Sequence, residues 1–183
     1  MIPNILTTLR LVLVPFFAYF MLFKENVAIA SIIFVLSGIT DVVDGYIARH
    51  YNMISRFGMV YDPFVDKLMQ ITAVICLVMN HTIPVWLLIF VAFKELSMIF
   101  VGGILYIKKI VVSSNKFGKI STVIFYAGVL TLIIWKSIPS FMLSVVILVM
   151  IIPMLVAGIY YVVDIIKNYD DKRVQPDVNR GQV

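Results

Sequence analysis

Four aspartates fall within 26 consecutive positions and could act as one chemical unit. Asp41 and Asp44 are three residues apart, and Asp62 and Asp66 are four apart. Either spacing puts the pair on one face of a helix. Four carboxylates gathered in an apolar setting repel strongly, so either some become neutral or cations compensate them. Two divalent cations would cancel the four charges. Hard oxygen donors suit Mg²⁺ or Mn²⁺, and no His or Cys cluster argues for zinc. Two-metal carboxylate sites stabilise the attacking and leaving oxygens in phosphoryl transfer. The competing readings are acids partnered for structure and acids lining an ion path.

The neighbours of these aspartates sharpen the chemistry. Gly45 follows Asp44 directly and leaves room for a ligand or a facing helix to come close. Gly58 stands before the second pair and can play the same part, although either glycine alone also fits simple packing or a turn. Arg49, five residues past Asp44, can clamp a phosphate or pair with an aspartate.

The elements that must position these groups are read from composition. Of 183 residues, 62% are hydrophobic and only 14% charged, with mean hydropathy +1.03. Soluble domains carry about 25% charged residues, so the expectation is an all-α integral membrane protein. Six apolar runs predict six transmembrane helices around a cytoplasm-facing polar cavity. They cover about Ile5–Phe23, Val27–Ile47 (helical on to about Tyr51), Met59–Met79, Val85–Ile107, Ile120–Trp135 and Ser140–Ile166. Residues 1–166 then form one membrane domain and 167–183 a polar, loosely ordered cytoplasmic tail. A turn near Gly58 lets the second and third spans run antiparallel, so the two Asp-bearing faces can meet.

The net charge of +5 comes from 15 basic and 10 acidic residues. Most of the basic residues flank alternate ends of the spans, whereas the opposite loops hold Lys24 and Lys136. The positive-inside rule puts both termini in the cytoplasm. No basic stripe interleaved with aromatics points to nucleic acid. The amino terminus lacks a basic n-region, so no cleaved leader is expected. The single cysteine, Cys76, reads as a small core hydrophobe. Trp86 and Trp135, near span ends, read as interface anchors.

The pattern Asp41-x2-Asp44-Gly45-x2-Ala48-Arg49-x8-Gly58-x3-Asp62-x3-Asp66 resembles the signature of the CDP-alcohol phosphotransferases, also called CDP-alcohol phosphatidyltransferases. The resemblance implies that Asp41, Asp44, Asp62 and Asp66 hold two divalent cations. It makes Asp66 the general base as well, and makes Asp44, Gly45, Ala48, Arg49 and Gly58 the CDP pocket. The implied donor is CDP-diacylglycerol, with CMP as the leaving product. A homodimer in a bacterial-type inner (cytoplasmic) membrane is implied in the same way, since no GxxxG interface supports a dimer independently.

The opening Ile2-Pro3-Asn4-Ile5-Leu6-Thr7-Thr8-Leu9-Arg10 resembles bacterial phosphatidylglycerophosphate synthases and their CMP-forming cardiolipin synthase relatives. The first group uses glycerol 3-phosphate as acceptor, and the second uses phosphatidylglycerol. An acceptor phosphate needs cations, and Lys94, Lys119 and Arg10 are the candidates, with Arg10 expected to face the same cavity. Lys94-Glu95 stands where the first group commonly has Arg-Glu. Being adjacent on a helix, these two point about 100° apart and are not expected to serve each other. Gly118-Lys119-Ile120-Ser121-Thr122 resembles that group's Gly-Lys-x-Lys-Thr, with Ser121 in place of the second lysine.

Two other classes remain to be weighed. A membrane prenyltransferase of the UbiA type also pairs Asp-rich motifs with Mg²⁺, but its first motif differs from Asp-x2-Asp-Gly-x2-Ala-Arg. A cation transporter would place acids near mid-bilayer on a Pro- or Gly-broken helix pair.

Overall fold

The computed structural model of the chain describes residues 2–50, 58–107, 116–135 and 137–174, with side chains at 6–43, 61, 64–101, 118–135 and 137–164. The described residues form six α-helices and no strand: α1 (Ile2–Leu22), α2 (Val27–His50), α3 (Gly58–Met79), α4 (Val85–Ile107), α5 (Lys116–Ile134) and α6 (Ser140–Val174). The shortest, α5, has 19 residues. At about 1.5 Å per residue it reaches about 28 Å, close to the ~30 Å of a bilayer core.

Local chemistry sets the connection from α1 to α2 and the end of α3. The α1–α2 connection bends at Glu25, which takes the left-handed conformation (φ 49°). Asn26 then caps α2, its side-chain oxygen accepting from the Ile29 amide at 3.1 Å. At the end of α3, His81 is left-handed (φ 54°). Its amide donates to Val78 O and that of Thr82 to Leu77 O, both at 2.9 Å, closing the helix in a Schellman motif.

Helix α6 departs from expectation. The chain stays helical through Val174, so the polar tail expected from Lys167 begins as helix. Loss of apolarity marks where a helix can leave lipid. It does not mark where the backbone stops hydrogen bonding, and Lys, Arg, Asp and Tyr all continue a helix at modest cost.

Helix α3 lies at the centre, packing against α1, α2, α4 and α5. Helix α2 also packs on α1 and α5, while α6 packs on α5. Phe17, Phe34, Met69, Leu77, Phe125 and Met150 are fully buried between them, as is Cys76. The exterior is apolar: Phe23, Phe93 and Phe141 are each more than 70% exposed. Charge and polarity are inside instead, at Arg10, Asp66, Gln70 and Glu95. That arrangement suits lipid as the surrounding solvent.

Among the described residues, Ser140–Asp164 alone is long and apolar enough by itself to cross a membrane. Leu6–Leu22, Val27–Val43 and Gly118–Ile134 are shorter apolar stretches. In α3 and α4, internal charges interrupt the apolar run.

Candidate active site

The Asp-bearing segments fall on two helices in direct contact. Asp41 is on α2 and Asp66 on α3. Their charges act on each other, with Arg10 and Lys67 offsetting the repulsion at Asp41. Asp44, Gly45, Ala48 and Arg49 also belong to α2, and Gly58 and Asp62 to α3. The side-chain surroundings of those six positions lie outside the described residues.

Asp41 is held from α1. Arg10 Nη1 donates to Asp41 Oδ1 at 2.7 Å. The guanidinium side chain is fully buried, whereas Asp41 keeps 37% of its surface exposed. Arg10 is thus turned toward a motif aspartate and has no exposed surface of its own. A buried cation in an apolar bundle is stable only when paired, and here the pairing is with a motif aspartate.

Asp66 is buried and engaged on both oxygens. Gln70 Nε2 donates to Oδ2 at 2.9 Å, and Tyr126 Oη donates to Oδ1 at 2.8 Å. Lys67 Nζ approaches Oδ2 at 3.5 Å. The same ammonium lies 3.4 Å from Gln70 Oε1 and 3.0 Å from Glu95 Oε2. Glu95 is also bound through Oε1 by Lys94 Nζ at 2.7 Å.

That last contact corrects the expectation that Lys94 and Glu95 cannot serve each other. The 100° between adjacent side chains describes where the Cβ atoms leave the helix. The four-carbon stem of lysine is long enough to curl back to its neighbour. Glu95 is only 1% exposed, so two ammonium groups, one from α3 and one from α4, converge on a buried carboxylate. The two lysines keep 16% and 18% of their side-chain surface. Lys119, in the first turn of α5, is exposed, and Ser121 is buried.

Sequence reasoning missed Gln70 and Tyr126. Gln70 was within reach of it, since it follows Asp66 by one turn on the same face. Nothing local signals Tyr126, sixty residues from the carboxylate it binds. Tyr126 also lines, with Asp41, Gly38 and Val123, a largely apolar groove of about 460 Å³ between α2 and α5.

The donor set fits a hard divalent cation. Asp41 and Asp66 offer carboxylate oxygens, the hard donors that such a cation prefers. Among the described residues, no three His, Cys, Asp or Glu side chains converge as a ligand set. The side chains of Asp44 and Asp62 lie outside those residues.

Residues 1–163 match the family model described as CDP-alcohol phosphatidyltransferase. The chain belongs to the CDP-alcohol phosphatidyltransferase family. It shares 33% identity over 152 residues with a CDP-diacylglycerol–glycerol-3-phosphate 3-phosphatidyltransferase of Treponema pallidum, covering 75% of this chain and 70% of that one. A Bacillus subtilis protein of the same name is 33% identical over 135 residues, 66% of this chain and 70% of its own. A CMP-forming cardiolipin synthase of Streptomyces coelicolor is 34% identical over 109 residues, 57% of this chain and 51% of that one. CDP-alcohol phosphatidyltransferases are membrane proteins, in keeping with the apolar exterior and buried charges of this bundle.

Proposed function

We propose that this chain transfers the phosphatidyl group of CDP-diacylglycerol to glycerol 3-phosphate, releasing CMP. The observation that carries the reading is the buried Asp66 carboxylate beside the Lys67–Glu95–Lys94 cluster. A base for a hydroxyl and cations for a phosphate stand side by side. The names of the Treponema and Bacillus relatives agree with that acceptor.

In this mechanism Asp44, Gly45, Ala48, Arg49 and Gly58 shape the pocket for the CDP group. Asp41, Asp44, Asp62 and Asp66 would hold Mg²⁺ or Mn²⁺, which when bound supplies charge neutralisation at the diphosphate. Lys94 and Lys67 draw in the acceptor phosphate as point charges. Asp66 takes the proton of the acceptor hydroxyl as its oxygen bonds to the β-phosphorus. The bond from that phosphorus to the bridging oxygen breaks, and CMP leaves with that oxygen.

All six helices are read as spans, with the carboxylates toward the cytoplasmic side, both termini cytoplasmic, and two copies of the chain forming a dimer. The interior charges of α3 and α4, which interrupt their apolar runs, are those the site requires.

Phosphatidylglycerol is the second acceptor to consider. Ser121 in place of a lysine favours it, as does the kinship with the Streptomyces cardiolipin synthase. The test is CMP release by the purified chain with CDP-diacylglycerol and Mg²⁺, offering glycerol 3-phosphate, phosphatidylglycerol, inositol phosphate or serine. Release with glycerol 3-phosphate, and a raised KM for it in Lys94→Met, supports the proposal. Release with phosphatidylglycerol alone makes the chain a cardiolipin synthase. No metal-dependent release with any acceptor returns the carboxylates to an ion path.

A further inference from the structure

The two donors on Asp66 stand outside every motif position considered so far. A carboxylate oxygen has two lone pairs. Among the described residues, Tyr126 donates to Oδ1 and Gln70 to Oδ2, with Lys67 Nζ also 3.5 Å from Oδ2, so Oδ1 keeps the lone pair best placed for a cation or an incoming proton. Donors on both oxygens also fix the plane of the carboxylate, which a single hydrogen bond leaves free to turn.

The donors reach Asp66 from different parts of the fold. Gln70 is one turn further along α3 and moves with it. Tyr126 comes from α5, and its ring is stacked on Phe34 of α2, centroids 4.9 Å apart at 28°. The ring also lies against Gly38 of α2, where an added Cβ would stand 3.4 Å from two ring carbons. Phe34, Gly38 and Asp41 belong to the same helix. Tyr126 thus rests its ring on the helix that carries one half of the aspartate motif. Its hydroxyl holds a carboxylate of the other half. A phenylalanine would fill the same apolar space, so packing alone does not account for the hydroxyl.

We infer that Tyr126 and Gln70 are positioning residues that hold the Asp66 carboxylate in one orientation relative to Asp41, so that it can bind a divalent cation and receive the acceptor proton. The inference rests on the proposed roles of Asp66. It makes the spacing between α2 and α3 at the site depend on a side chain from α5.

The test uses the full-length chain in detergent, with Mn²⁺ binding followed by electron paramagnetic resonance and CMP release measured alongside. Tyr126→Phe and Gln70→Leu are each expected to weaken Mn²⁺ binding and lower kcat about 10–100-fold, the usual effect of removing a partner that orients a ligand. KM for glycerol 3-phosphate stays at the wild-type value, which a general loosening of the fold would not spare. Because both donors act on one carboxylate, the double variant is expected to lose less than the product of the two single losses. Wild-type Mn²⁺ affinity in both single variants would overturn the inference, as would losses that simply multiply. A wild-type chain that binds Mn²⁺ but releases no CMP would overturn the transferase reading while the Mn²⁺ comparison still decides the positioning role. A wild-type chain that binds no Mn²⁺ would overturn the positioning role itself.

Discussion

Replacing Arg10 with methionine separates two roles that this arginine could play. Methionine keeps the length of the stem and its apolar contacts but removes the guanidinium, leaving Asp41 without its 2.7 Å partner. Removing one member of a fully buried pair costs about 3–5 kcal/mol, because the survivor is stranded. Asp41 is 37% exposed, and water relieves part of that loss. A destabilisation of about 2 kcal/mol is therefore expected, or roughly 4–8 °C in the thermal midpoint for a chain of this size. The assay is thermal unfolding in detergent, once with EDTA and once with saturating Mg²⁺. A cation bound at Asp41 supplies the compensation that the arginine gave, so the gap between variant and wild type should narrow in Mg²⁺. Equal midpoints in EDTA would refute the pairing argument. A selective rise in KM for glycerol 3-phosphate, with stability untouched, would make Arg10 an acceptor ligand instead.

Two further outcomes follow from the same structure. Asp66→Asn preserves shape but removes the base, and kcat for CMP release should fall by about 10²–10⁴-fold while CDP-diacylglycerol is still retained on the protein; wild-type turnover would remove Asp66 from that role. At Gly128 on α5, an added Cβ would enter the space of Met150 Cγ and Sδ on α6. Met150 is only 2% exposed, so Gly128→Ala should cost about 1–3 kcal/mol, and the same change made in a Met150→Ala background should cost less; an unchanged thermal midpoint would count against the packing described.

The apolar runs located the helices well because apolar residues make up most of each helix. Helix α4 runs from Val85 to Ile107, as its run predicts. Helix α6 outlasts its run because helix propensity does not stop at the membrane boundary. The placement of Asp41 and Asp66 on neighbouring helices was legible from their positions in two successive apolar runs; the turn expected between those runs falls on 51–57, outside the described residues. Their partners were not equally so. Arg10, on α1, was legible as a cation near the site but not as the mate of Asp41, because pairing across helices depends on how α1 is rotated. Tyr126 carries no sequence mark at all, since its hydroxyl matters only once α5 is laid against α2 and α3. Lys94 and Glu95 were misjudged because helical angle was used where side-chain reach decides.

The contact between Lys67 and Glu95 also bears on how the protein enters a bilayer. Helix α3 brings Asp66 and Lys67, and α4 brings Lys94 and Glu95. Each such charge costs about 2.5–3.5 kcal/mol at the centre of a lone inserting helix, so the four together oppose insertion by on the order of 10 kcal/mol. Joining Lys67 to Glu95 at 3.0 Å pairs a charge on one of these segments with an opposite charge on the other. Helices α3 and α4, separated only by the five residues from Asn80 to Pro84, are thereby suited to partition as one hairpin. On the proposed reading of all six helices as spans, the ion pairs of the proposed site also favour the entry of α3 and α4 together.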